Sequence, residues 1–248
     1  MATIAVGDVH GNLAALQSLL ESVTAHLTAE DTLVFLGDYI DRGPDSKGCI
    51  EEIVRLSNEA SFSVVTLLGN HEEWMLATMD DYTKHSWLLG AEAFETVTSY
   101  SLSAANKLRL AVDEAGPRLI TDDVELPYEA FFETMPVSHR SFFRGLRLFH
   151  KSDGAIFVHA GIDPNGGAPE EQNSRELTWG LVHNFPDGYR GPHKVVYGHR
   201  DNCVVDASGW PRPRIVNELT FGIDSISTGV LTAIRMPDGM VFQSERYS

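Results

Sequence analysis

The sequence predicts an α/β fold, and three observations carry that prediction. Three short apolar runs, at 3–6, 33–36 and 62–68, are each followed by a polar loop and then by apolar residues at helical spacing. Successive strand–loop–helix units imply a parallel sheet with right-handed crossovers. In each unit the polar cluster falls at the carboxyl end of the strand, where open α/β sheets place their ligand sites. The C-terminal third instead alternates short β-like runs with turns. It predicts mostly antiparallel strands that complete a second sheet packed on the first.

Taken in order, the first strand leads into Gly7-Asp8-Val9-His10-Gly11. Residues 12–25 then carry Leu13, Leu16, Leu19, Leu20 and Val23 on one helical face, with Asn12 placed to cap. The second strand enters loop 37–45, made tight by Gly37, Gly43 and Pro44, and a helix near 46–58 follows with Ile50, Ile53, Val54 and Leu56. The third enters Gly69-Asn70-His71-Glu72 and a helix over about 72–79. Residues 80–150 break this rhythm. Their Leu88, Leu89, Phe94, Val97, Leu108, Leu110 and Val112 read as a helical insertion, either shaping substrate access or serving as scaffold. A buried strand at 155–158 precedes His159-Ala160-Gly161, and a short helix is expected over 175–185. Strand 194–197 leads to Gly198-His199. Short β-like runs follow at 203–205, 214–216, 221–223, 229–235 and 240–243, with Asp238-Gly239 as a hairpin signal. No linker or repeat interrupts the chain, which reads as a single domain over 1–248.

The 248 residues are enough for a real core, and a hydrophobic fraction of 43% is that of an ordinary soluble protein. A net charge of −16 argues against a nucleic-acid polymer as partner, because the duplex would repel this surface. A small phosphorylated ligand remains compatible, since bound cations invert the local field. Cys49 and Cys203 lie far apart and lack metal-type spacing, so reduced thiols in a cytoplasmic protein are expected. The N-terminus reads as a strand rather than a signal peptide, and no apolar run approaches the ~18 residues of a membrane helix.

Five strand ends carry polar clusters: Asp8 with His10; Asp38 with Asp41 and Arg42; Asn70 with His71; His159; and His199. Parallel strand ends converge in space although these residues are far apart in sequence. Oxygen and imidazole donors without thiolates suit manganese, iron, zinc or nickel. The supply is enough for two ions with one bridging carboxylate, and ions about 3.5–4 Å apart clamp the attacking and leaving oxygens of phosphoryl hydrolysis. Taken singly, each piece has a plainer reading. Asp and Gly are ordinary turn residues, and His159 or His199 alone reads as a core histidine. All five together, in order and at strand ends, are not explained by structure alone.

On these motifs the chain resembles the phosphoprotein-phosphatase branch of the calcineurin-like metallophosphoesterases, particularly the small bacterial and phage-type serine/threonine phosphatases. The resemblance rests on Gly-Asp-Val-His-Gly (7–11), Gly-Asp-Tyr-Ile-Asp-Arg-Gly (37–43), Gly-Asn-His-Glu (69–72), His-Ala-Gly (159–161) and Gly-His (198–199). It implies a four-layer α/β/β/α sandwich of two mixed sheets flanked by helices. It implies that Asp8, His10 and Asp38 hold one divalent ion and that Asp38, Asn70, His159 and His199 hold a second, manganese being expected and iron, zinc, nickel or cobalt possible. His71 would be the general acid, oriented by Asp41, with Arg42 and Asn70 binding phosphate oxygens and a hydroxide between the ions attacking directly. One departure stands out: Gly180 and Leu181 follow Trp179 where many relatives carry a second phosphate-binding arginine. Arg175 and Arg200 are the available substitutes.

The expected function is therefore phosphomonoester hydrolysis, with a phosphoserine or phosphothreonine protein, or a small phosphoester, as substrate. The alternative is a bis(5'-nucleosyl)-tetraphosphatase. That sister group usually lacks an aspartate at the position of Asp41 and often ends the third motif with Asp, so Asp41 and Glu72 favour the first. A non-catalytic metal-binding module comes third, because it predicts decay of a ligand set that is intact. His26, His85, His139, His150, His183 and His193 match no metal motif, and Trp74, Trp87 and Trp179 read as core. Glu72 and Glu73 read as helix-opening acids that favour the dipole.

Overall fold

The computed structural model describes residues 1–182 and 185–247, so His183 lies outside the described residues. The first three units are β1 (Thr3–Val6), α1 (Leu13–Thr24), β2 (Thr32–Phe35), α2 (Ser46–Glu59), β3 (Ser63–Thr66) and α3 (Asn70–Asp80). The insertion is helical, as expected: α4 (Ser86–Gly90), α5 (Phe94–Tyr100), α6 (Leu102–Ala115), α7 (Arg118–Thr121), α8 (Glu129–Phe132) and α9 (Val137–Arg144). Then follow β4 (Phe149–Ser152), β5 (Ala155–Val158), α10 (Ser174–Trp179), α11 (Phe185–Gly188), β6 (Lys194–Tyr197), β7 (Cys203–Val205), β8 (Pro211–Val216), β9 (Thr220–Gly222), β10 (Thr232–Met236) and β11 (Val241–Gln243).

Among the described residues the strands form two mixed sheets, one ordered β11-β10-β1-β2-β3 and the other β4-β5-β6-β9-β8-β7. β1, β2 and β3 are parallel, as are β5, β6 and β9. The C-terminal strands do not all join the second sheet. β10 and β11 return to the first, where β10 lies antiparallel to β1.

Side-chain alternation builds the layers. Ile4 and Val6 of β1, with Leu33 and Phe35 of β2, face the core shared with α1, α2 and the insertion helices. Ala5 and Val34 point the other way and meet Ala155, Phe157 and Val196 between the sheets. Ile156, Val158, Val195 and Tyr197 then cover the outer face beside Leu177 and Phe185. The order is thus helix, sheet, sheet, helix.

Two local expectations change. Asn12 precedes α1 without capping it; its side-chain amide donates to the carbonyls of Val9 and His10 and so braces the first loop. Helix α3 begins at Asn70 rather than near residue 72, so Asn70 and His71 project from a first helical turn rather than from the loop before it.

Candidate metal centre and active site

Every strand end named from the sequence reaches one buried cluster. Asp38 is its middle. Its Oδ2 lies 3.6 Å from His10 Nε2, 3.5 Å from His159 Nε2 and 3.9 Å from His71 Nε2. All three separations exceed hydrogen-bond range. His10 Nδ1 lies 2.9 Å from the Ile40 carbonyl and His159 Nδ1 lies 3.0 Å from that of Leu36, so each Nδ1 must carry the proton it donates. In the neutral ring, each Nε2 is then a bare lone pair aimed at a carboxylate. His159 Nε2 is also 3.0 Å from Asn70 Oδ1, a second acceptor.

The charge states agree with that picture. Burial lowers His10 and His199 to about 3, and it lowers His159 against the pull of Asp38, so these rings are neutral. Burial raises Asp8, and the nearby Asp224 and Asp38 carboxylates raise it further. Burial also works to raise Asp38, but the surrounding imidazoles outweigh it and hold that carboxyl below its ordinary range. Lone pairs facing lone pairs, with a backbone carbonyl behind each proton-bearing nitrogen, are what a divalent cation resolves. The residues present fit a pair of such ions. Asp8 joins the set through the His199 amide, which donates to both of its carboxylate oxygens at 3.1 Å.

His71 differs from the other imidazoles. Its Nδ1 donates to Asp41 Oδ2 at 2.7 Å. Burial works to lower its pKa, but Asp38 and Asp41 outweigh that and raise it to about 9, leaving the ring protonated near neutrality. Asp41 is itself immobilised: Trp87 Nε1 donates to its Oδ2 at 2.9 Å and Thr96 Oγ1 to its Oδ1 at 2.6 Å. Trp87 is fully buried, yet it is more than core filling. Both donors come from the helical insertion, which therefore serves the site directly. No motif in 80–150 marks them, and the contacts close only across the fold.

Glu72 was expected to do no more than complement a helix dipole. Its carboxylate instead accepts the backbone N–H groups of Asp38 and Tyr39 at 2.9 Å each, with Gly69 at 3.2 Å and Ile40 at 3.3 Å. One buried side chain thus sets the course of the central loop. Glycine makes room on either flank. A Cβ at Gly69 would fall 2.1 Å from Asp38 Oδ1, and one at Gly198 would fall 2.0 Å from Asp8 Oδ1. Backbone strain gathers here too: of the ten non-glycine residues with positive φ among those described, seven are His10, Asp38, Asp41, Arg42, His199, Arg200 and Asp201. Such conformations cost about 1–3 kcal/mol each and persist only where the surroundings dictate them.

Arg42 is exposed, and its Nη2 comes within 3.4 Å of His71 Nε2. Of the two substitute arginines, Arg200 lies at the cluster and Arg175 over the Trp179 ring, its guanidinium carbon 5.5 Å from the centroid. Among the described residues the remaining histidines lie elsewhere; buried His85 and His139, for example, bond to Tyr128 and Tyr100.

Residues 1–202 match the profile of the calcineurin-like phosphoesterases. The chain belongs to that family. Among curated relatives, a symmetrical bis(5'-nucleosyl)-tetraphosphatase of Methylococcus capsulatus is 40% identical over 225 residues, covering 89% of this chain and 64% of that protein. The enzyme of the same name from Delftia acidovorans is 27% identical over 224 residues, 89% of this chain and 66% of its own. This calcineurin-like chain thus spans slightly less than two thirds of the length of these relatives. Among solved structures, a candidate diadenosine tetraphosphatase superimposes with a TM-score of 0.64 at 21% identity, covering 100% of this chain and 94% of that one. A serine/threonine phosphatase from Saccharomyces cerevisiae gives 0.55 at 14% identity, covering 100% and 81%. At these identities the structures show the shared fold, the four-layer sandwich of the family. No helix among the described residues is long and apolar enough to cross a membrane.

Proposed function

We propose that this protein is a dinuclear-metal phosphohydrolase that cleaves the polyphosphate chain of dinucleoside polyphosphates. The observation that supports this substrate class is the 40% identity over 225 residues to the tetraphosphatase of Methylococcus capsulatus. Asp8, His10 and Asp38 would hold one ion, and Asp38, Asn70, His159 and His199 the other. When bound, such ions supply an activated water nucleophile and neutralise phosphoryl oxygens. The chain's own residues do the rest. Arg42 binds equatorial phosphate oxygens at the open side of the cluster, aided by Asn70. His71 carries a proton on Nε2, and Asp41, fixed by Trp87 and Thr96, keeps the ring aimed.

A second reading, hydrolysis of phosphoserine or phosphothreonine, is favoured by that same His71–Asp41 pair. An alkoxide must be protonated as it leaves, whereas a nucleotide leaves as a stable phosphate anion. Kinetics with manganese, iron, zinc, nickel and cobalt on dinucleoside tetraphosphate, phosphopeptides and a cyclic nucleotide control separate the readings. The first expects kcat/KM for the dinucleotide to exceed that for phosphopeptides by more than about tenfold, or ~1.4 kcal/mol in transition-state binding. The reverse preference would install the second reading. A folded, metal-loaded protein inert to the whole panel would leave only a metal-binding module.

Arg42 gives a narrower test. Arg42→Ala should weaken substrate binding by about ten- to a hundredfold, as expected for hydrogen bonds to a charged group, while bound metal is unchanged. A matching loss of metal, read by elemental analysis, would show that Arg42 supports the ligand loop instead.

A further inference from the structure

The guanidinium of Arg200 lies at the His199 end of the cluster. Its Nε donates to His199 Nε2 at 2.9 Å, and its Nη2 donates to the Trp179 carbonyl at 3.2 Å. This mirrors Arg42, whose Nη2 approaches His71 Nε2 at the other end. The imidazoles fall into two pairs, His10 with His71 at 4.7 Å between ring centroids and His159 with His199 at 5.1 Å, and Asp38 lies between them. Each pair therefore carries one arginine.

The backbone that delivers Arg200 is built for one course. His199, Arg200 and Asp201 are consecutive left-handed residues, with φ of 64°, 59° and 50°. Three side chains pin the turn. Asp8 takes the His199 amide, buried Asp224 takes the Asp201 amide at 2.7 Å, and Asn202 donates to the Gly198 and His199 carbonyls. Strain of this kind, held from three sides, marks a side chain whose position matters. The chemistry points to an anion. The protein carries a net charge of −16 and buries Asp8, Asp38, Asp41 and Asp224 around the site, so a phosphate needs fixed cations on its approach. A guanidinium fork matches phosphate oxygens. Arg175, exposed over the Trp179 indole, has no comparable hold on the cluster.

We infer that Arg200 is a phosphate-binding residue, closing on the phosphoryl oxygens from the His199 side while Arg42 closes from the His71 side. The inference rests on the phosphohydrolase reading, and its test needs no turnover. Inorganic phosphate is titrated calorimetrically into the manganese-loaded protein, and metal content is measured alongside. Arg200→Ala should weaken phosphate by about tenfold or more with metal retained, Arg200→Lys should restore part of it, and Arg175→Ala should stay within about twofold. Arg200→Ala binding phosphate within about twofold of the parent would overturn the assignment, as would an equal effect of Arg175→Ala. Loss of metal together with phosphate would also overturn it, making Arg200 a positioning residue for His199. Phosphate binding that depends on Arg200 would stand even if no phosphoester in the panel were cleaved, so the two readings fail separately.

Discussion

His71→Asn should lower turnover of a phosphoserine or phosphothreonine peptide by about 10²–10⁴-fold, the usual worth of a positioned general acid. On a dinucleoside tetraphosphate the same variant should lose less than about tenfold, because that leaving group is already a stable anion. The structure gives both halves of the argument. His71 donates its Nδ1 proton to Asp41, the carboxylate that favours the protonated ring. Its ring is aimed through the 2.7 Å contact to Asp41, which Trp87 and Thr96 hold in place. Steady-state kinetics on the two substrates, with metal content matched, read the outcome. Equal losses on both would show that His71 acts in binding rather than in proton transfer.

Glu72→Gln should destabilise the protein by about 3 kcal/mol, because a buried donor left without its acceptor costs about 1–3 kcal/mol and the four backbone N–H groups on Glu72 would lose one of their two acceptor oxygens. For a chain of this size that corresponds to a fall of about 6–12 °C in Tm. The amide cannot replace the carboxylate. Both oxygens accept backbone N–H groups, from Tyr39 and Ile40 on one side and Asp38 and Gly69 on the other. A glutamine would turn an NH₂ toward one of those pairs. The loop that carries Asp38 should loosen, so metal affinity should fall with stability. Thermal melts with and without manganese, and a metal titration, check both effects. A variant that melts like the parent and binds metal normally would show that the loop keeps its shape unaided.

Much of this was legible in the sequence for a physical reason. Loops that converge at strand ends need small residues beside chemical ones, so four of the site residues follow a glycine directly: Gly7-Asp8, Gly37-Asp38, Gly69-Asn70 and Gly198-His199. At Gly69 and Gly198 the structure shows the reason, because the Asp38 and Asp8 carboxylate oxygens occupy the space a Cβ would need. The supports were not legible. Trp87 and Thr96 reach Asp41 across 46 and 55 residues, and nothing local distinguishes a tryptophan that donates to a carboxylate from one that fills a core. Glu72 looked like a dipole acid because a helix start suits any acid, while its real partners lie some thirty positions back. Short strands say little about which sheet they join, so the return of β10 to β1 was missed. The substrate ordering changed as well. Asp41 and Glu72 favour phosphoproteins, whereas the relative that is 40% identical along most of the chain is a tetraphosphatase.

That return of β10 has a consequence for how the protein is assembled. Residues 232–236 flank the strand that leads to Asp8, and the Gly7 amide, one residue before Asp8, donates to the Thr232 carbonyl at 3.0 Å. Asp224 pins the His199 loop from the same region. The stretch after residue 202 is therefore no appendage to the part that matches the family. During synthesis, the loop that carries Asp8 and His10 emerges early but gains its second neighbouring strand only after residues 232–236 have been made. A chain cut before residue 232 would present β1 as an open sheet edge, a template for pairing with other chains.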